Sequence, residues 1–223
     1  MERNVDMNEI SDGKRYGSND MVKVGCGDCA GCSSCCKGMG NSIVLDPADI
    51  YRLTSLRGIS FEKLMQDSIE LNVVDGIILP NLKLSGKDES CSFLDNEGRC
   101  SIHQYRPGMC RMFPLGRIYH DRTFDYFLQK NECVKECTKT KVKIKKWLDI
   151  PELNKYESYI SEWHYFLKDM EKFIKENGND NTAKDINLYL LHTFFITPYE
   201  KENFYGQFEK RMTNAKKALA SLG

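Results

Sequence analysis

The chain has 223 residues, 32 basic and 32 acidic, so it carries no net charge that would draw it to nucleic acid or to a membrane surface. Its ten cysteines are too many for an ordinary core and too sparse for a disulfide scaffold. No apolar run is long enough to span a membrane, and the polar start MERNVDMNEISDGKRYGSND contains no secretory signal, so a protein of the reducing cytoplasm is expected. There, clustered cysteines are read as metal ligands or redox groups before they are read as disulfides.

Residues 1–20 lack hydrophobic periodicity and read as a mobile leader. The stretch Gly25 to Lys37, GCGDCAGCSSCCK, then sets Cys26, Cys29, Cys32 and Cys35 three residues apart, with Cys36 beside the last. Two intervening residues let successive thiolates turn onto one metal or cluster. The neighbours Cys35 and Cys36 are expected to project in different directions. Asp46-Pro47-Ala48-Asp49 predicts a helix start, with an N-cap, a proline at the first helical position and negative charge in the first turn. Ile50, Leu53 and Leu56 mark its buried face, Gly58 its stop, and Ser60 the start of a second helix through Phe61, Leu64 and Met65.

The period then changes. Leu71 to Val74 and Ile77 to Leu84 read as strands joined by Asp75-Gly76. Cys91-Ser92-Phe93-Leu94, a turn at Asn96-Glu97-Gly98, and Cys100-Ser101-Ile102 predict a second hairpin that brings Cys91 near Cys100. Tyr105-Arg106-Pro107 and Cys110 to Pro114 are expected to be irregular because each proline disfavours helix before it. A third hairpin is expected from Leu115 to Tyr119 and back through Phe124 to Leu128, turning at Asp121-Arg122, and it leads to Cys133 and Cys137.

Beyond Thr140 the pattern is helical: Val142 to Leu148 in one short helix, Tyr156 to Ile174 in a long amphipathic one ended by Asn177-Gly178, then Asp185 to Phe195 and Glu200 to Leu219. Trp147 and Trp163 belong to core. The fold class is therefore α+β. A cysteine-rich, metal-organised domain of short hairpins and helices over residues 21–139 is followed by an all-helical region, 140–223.

The metal ligands predicted by spacing and thiolate chemistry are Cys26, Cys29, Cys32, Cys35, Cys36, Cys91, Cys100, Cys110, Cys133 and Cys137. Repeated CxxC steps favour one or two [4Fe-4S] clusters, with zinc as the alternative. Lone His103 reads as structural, and Lys37, Arg106 and Arg111 as neutralising thiolate charge or making local pairs. There is no nucleophile elbow, Walker loop or GxGxxG after a strand, so no catalytic residue can be named.

The pieces CAGCSSCC, IVLDPADIYRL and CSFLDNEGRCSIHQYRPGMCRMFPL resemble the CxxCxxCC, or YkgJ-like, cysteine-cluster family of zinc- or iron-chelating proteins. The resemblance covers residues 26–137 and implies Cys29, Cys32, Cys35, Cys36, Cys91, Cys100 and Cys110 as the ligating set. The same part is similar to the cysteine-rich part of flagellin lysine N-methylase, which implies a cluster-assisted methyl transfer from S-adenosylmethionine as an enzyme alternative. A protein or peptide partner is the expected macromolecular contact, with neither nucleic acid nor membrane.

Overall fold

The computed structural model describes residues 6–24, 32–55, 57–133, 141–177 and 180–220. Asp6 caps α1 (Met7–Ile10) by accepting the Asn8 amide at 2.8 Å. The stretch expected as a mobile leader then lies along a strand: Tyr16 and Tyr126 exchange backbone bonds of 2.9 Å each way, and Ser11 bridges Gln129. It continues into β1 (Met21–Val22).

Asp46 and Asp49 form a reciprocal cap at the start of α2 (Pro47–Ser55). The Asp49 amide donates to Asp46 Oδ1 at 2.9 Å, and the Asp46 amide donates to Asp49 Oδ2 at 3.1 Å. Ile50 and Leu53 are buried as expected, whereas Leu56 lies outside the described residues. Ser60 caps α3 (Phe61–Asp67) through the Lys63 amide. β2 (Ile69–Val74) and β3 (Ile77–Leu82) form the predicted antiparallel hairpin, its turn residues Asp75 and Gly76 both at positive φ.

The second predicted hairpin forms only in its tip, where Phe93 and Leu94 pair antiparallel with Ser101 and Cys100 around a turn at Asp95 to Arg99. Cys91 itself is paired in a further two-residue ladder, β4 (Leu84–Ser85) with β5 (Ser90–Cys91), where it faces Leu84. Beyond Cys91 the chain coils about Asp95, whose carboxylate accepts the amides of Glu97 and Arg99 and draws the segment into a tight loop with one bridge, Leu94 to Cys100.

The prolines also act differently from expectation. Pro107 stands at the start of a short helix, α4 (Gly108–Met112), and Pro114 follows its end, so they flank the helix instead of interrupting it. β6 (Leu115–His120) and β7 (Thr123–Leu128) form the predicted third hairpin, with Asp121 and Arg122 at positive φ. Val142, expected in a helix, lies in β8 (Val142–Lys143), which pairs antiparallel with β1; α5 (Ile144–Leu148) starts immediately after it.

Three helices complete the fold: α6 (Leu153–Asn177), α7 (Asp180–Leu191), extended by a π-turn over His192–Ile196, and α8 (Phe204–Ala220). The chain is mixed α+β. The larger apolar cluster runs through both halves, from Leu45, Ile69 and Phe93 to Trp163, Phe194 and Phe208. A smaller one gathers Val22, Met112, Leu115, Tyr126 and Ile144 where β1, β6, β7 and α5 meet.

Candidate metal centre

Three separate segments bring cysteines together. The first is the 3-10 turn Ser34–Cys36, closed by the Cys36 amide on Ser33 O at 2.9 Å. A bridge from Lys37 to Ser90, and the Gly38 amide on Glu89 O at 3.1 Å, set this turn beside β5 and hence beside Cys91. The second segment is the loop from Cys91 to Cys100. The Leu94 amide donates to Cys91 O at 2.9 Å, and the Ser101 amide and hydroxyl both donate to Phe93 O at 2.9 Å. The third is α4, which carries Cys110.

α4 is held from below by Asp49. The Gly108 amide donates to Asp49 Oδ1 at 2.9 Å, and Arg52 donates to the same oxygen. Gly108 has to be glycine here, because a Cβ would stand 2.1 Å from Tyr156 Oη. Asp49 and Gly108 were not among the sequence-predicted site residues. A buried acid in the first turn of an otherwise apolar helix, and a glycine two residues before a cysteine, were the available signals.

The thiols act on one another. Cys35 and Cys36, adjacent in the 3-10 turn, act on each other's titration. The neighbouring Cys36 thiol holds the Cys35 thiol down at about 7, with Arg106 acting in the same direction against burial, while Cys36 is pushed up by Cys35 and by burial. Burial also pushes up Cys91, Cys100 and Cys110. For Cys110 the nearby Asp49 charge comes next, followed by Cys91, Cys100 and Cys35.

Cys35, Cys36, Cys91, Cys100 and Cys110 thus share one electrostatic neighbourhood. All five are half-buried, and Cys91, Cys100 and Cys110 pack on the apolar core. None of the seven described cysteines is in a disulfide. After burial, the influences on the group come mainly from its own members, Arg106 and Asp49. Cys32 Sγ instead lies 3.7 Å from Ser34 Oγ, and Cys133 follows β7. Cys26, Cys29 and Cys137 lie outside the described residues.

Among the described residues, no three Cys, His, Asp or Glu side chains close to metal-ligating distance. The donor set nevertheless fits a thiophilic metal: soft sulfur ligands in a half-buried place, with a cation to offset their charge. Arg106 Nε supplies an independent indication, since it is buried without a hydrogen-bond partner and its charge acts on Cys35 and Cys100. His103 is exposed and contacts Arg106 Nη1 at 3.1 Å. Arg111 donates to the carbonyls of Gln104, Arg106 and Asp149, and Lys37 lies 3.9 Å from Asp88, so these two make the expected local pairs.

Residues 28–133 match the family CxxCxxCC, described as "Putative zinc- or iron-chelating domain". That span contains eight of the ten cysteines, all but Cys26 and Cys137. No curated protein and no solved structure matches the chain. No helix among the described residues is long and apolar enough to cross a membrane. The match supports metal binding by this part of the molecule and speaks of chelation, not of methyl transfer.

Proposed function

With residues 28–133 belonging to the CxxCxxCC family, we propose that the protein holds a thiolate-ligated metal centre, a [4Fe-4S] cluster in preference to zinc. The observation that carries this reading is the meeting of five cysteines from three chain segments beside the unpartnered Nε of Arg106. Cys35, Cys36, Cys91, Cys100 and Cys110 are the ligand candidates within the described residues. Cys26, Cys29, Cys32, Cys133 and Cys137 are the candidates to complete one centre or to supply a second. The ferredoxin-like spacing from Cys26 to Cys35 favours iron–sulfur over a single tetrahedral zinc.

When bound, such a cluster supplies one-electron transfer. The chain's own residues do the remaining work. Asp49 fixes α4 through the Gly108 amide and so positions Cys110. Arg106 offsets thiolate charge and offers a buried N–H, while Phe93 and Ile102 pack beneath the Cys91–Cys100 loop and limit water. The partner fitting this role is an electron-transfer protein of the cytoplasm.

The test is the iron, zinc and acid-labile sulfide content of protein purified without oxygen, with the visible spectrum of the same sample. Equal iron and sulfide with charge-transfer absorption supports the cluster. A colourless protein with stoichiometric zinc replaces it with a structural zinc site, and no metal at all overturns both.

A further inference from the structure

Apart from the cysteines, a cleft of about 660 Å³ opens between Gly17–Ser18, the β6–β7 turn with β7, and the outer face of α6. Its size is that of a small-molecule site. Along its wall α6 presents Glu157, Ser161, Tyr165 and Asp169, each one helical turn from the next and so on one face.

The cations of the cleft are already engaged. Arg122 holds Asp169 with contacts of 3.3 and 3.5 Å, and Lys216 holds Glu162 at 2.8 Å. Glu157 is engaged differently: it accepts hydroxyls only, from Tyr126 at 3.0 Å and from Ser18 at 3.5 Å, and has no cation within ion-pair range among the described residues. Two neutral donors leave a carboxylate its full charge and unused lone pairs.

Ser161 provides the second observation. It is only 8% exposed, lines the cleft, and makes no side-chain hydrogen bond among the described residues. Its hydroxyl reaches the cleft, and with no partner among the described residues it is free to accept a hydrogen bond from a molecule bound there.

We propose that this cleft binds a small organic cation through a primary ammonium group, which donates to the Glu157 carboxylate and the Ser161 hydroxyl. An ammonium has three donors and no acceptor, matching two acceptors one turn apart. An anion would meet the uncompensated Glu157, and a bare metal ion would leave most of the cleft empty and find one carboxylate that no cation already holds.

The probe is putrescine, titrated by calorimetry into the full chain with its metal in place, with butane-1,4-diol as the neutral control. Saturable binding of one putrescine per chain is expected, weakened by salt and absent for the diol. Glu157→Gln should weaken it about tenfold or more, the scale of a charge-assisted bond, and Ser161→Ala severalfold. Circular dichroism and metal content of both variants check the fold; should Glu157→Gln disturb β7 through Tyr126, Ser161→Ala and the diol still decide. The proposal is overturned if putrescine does not saturate, if the diol binds equally, or if both variants bind as the parent does.

Discussion

Around Trp163, helices α6 to α8 pack ring against ring: Trp163 lies 5.0 Å from Phe194, Tyr159 4.6 Å from Phe208, and Phe194 5.8 Å from Phe208. Around Cys91 the chain has two-residue strands, a 3-10 turn and a five-residue helix, and the cysteines it gathers there are only half-buried. The helical region buries enough aromatic surface to hold its elements by packing. Segments as short as β4 and β5 are below the size at which strand pairing is stable by itself. The difference locates where a metal would substitute for core, and each expectation below separates the two regions.

The largest effect should come from the metal. Structural sites of this chemistry contribute on the order of 10 kcal/mol, so chelation, or Cys110→Ser, should abolish hydrogen-exchange protection in β5 and α4 while α6 and α8 keep theirs. Unchanged protection across the cysteine segments would remove the distinction. Next, Phe208→Ala should lower unfolding stability by about 3–5 kcal/mol in denaturant titrations while metal content stays at the parent value; parallel loss of metal would show that the two regions are one cooperative unit.

Gly108→Ala sits at their junction. The added methyl meets the Tyr156 hydroxyl, and overpacking of this kind costs about 1–3 kcal/mol. Here metal retention should fall along with stability, as measured by metal content after gel filtration.

The smallest effect is in pH. Asp46 is pushed up to about 7 by burial, with the Asp49 charge acting in the same direction. It lends stability below its unfolded value of about 3.9, and that stability is lost as pH rises through about 7. His164 is pushed down to about 4 by burial; it lends stability above about 6.5, lost as pH falls toward about 4. The two oppose each other. Asp46→Asn keeps an acceptor for Tyr159 and Asp49 and, of this opposed pair, leaves the His164 dependence alone. Stability followed by tryptophan fluorescence should therefore fall more steeply than in the parent on acidification below about 6.5, and an identical slope would contradict the assignment.

What could be read from the sequence divides along the same line. Asp46-Pro47, Asp75-Gly76 and Asp121-Arg122 carry local backbone chemistry, and the elements they start or join are where that chemistry places them. The apolar repeat from Tyr156 to Ile174 marks α6 because one helix face supplies its own signal. The pairing of β1 with β8 carried no such signal, since two residues have no period and the partners are far apart in sequence. The cysteines announced a shared metal chemistry by spacing, but the gathering of Cys35 with Cys100 and Cys110 depends on bridges such as Lys37 to Ser90 that no spacing encodes. The set Asp49, Arg52, Tyr156 and Arg117, two buried and two half-buried, was hidden for a related reason: each member looks like an ordinary cap, surface charge or core ring until Arg117 Nη2 reaches Tyr156 Oη at 3.1 Å.

Asp49 receives Arg52 from its own helix, the Asp46 amide before it and the Gly108 amide of α4, all on one buried carboxylate. It therefore works as a rivet through two plates: α4 cannot shift without loosening the first turn of α2, and α2 is itself tied to α6 by the Ala48 amide on Tyr159. Linkage of this kind is reciprocal. A weak coupling is therefore expected between the hold on Cys110 and the N-terminal turns of α6, small beside the loss of α4 itself.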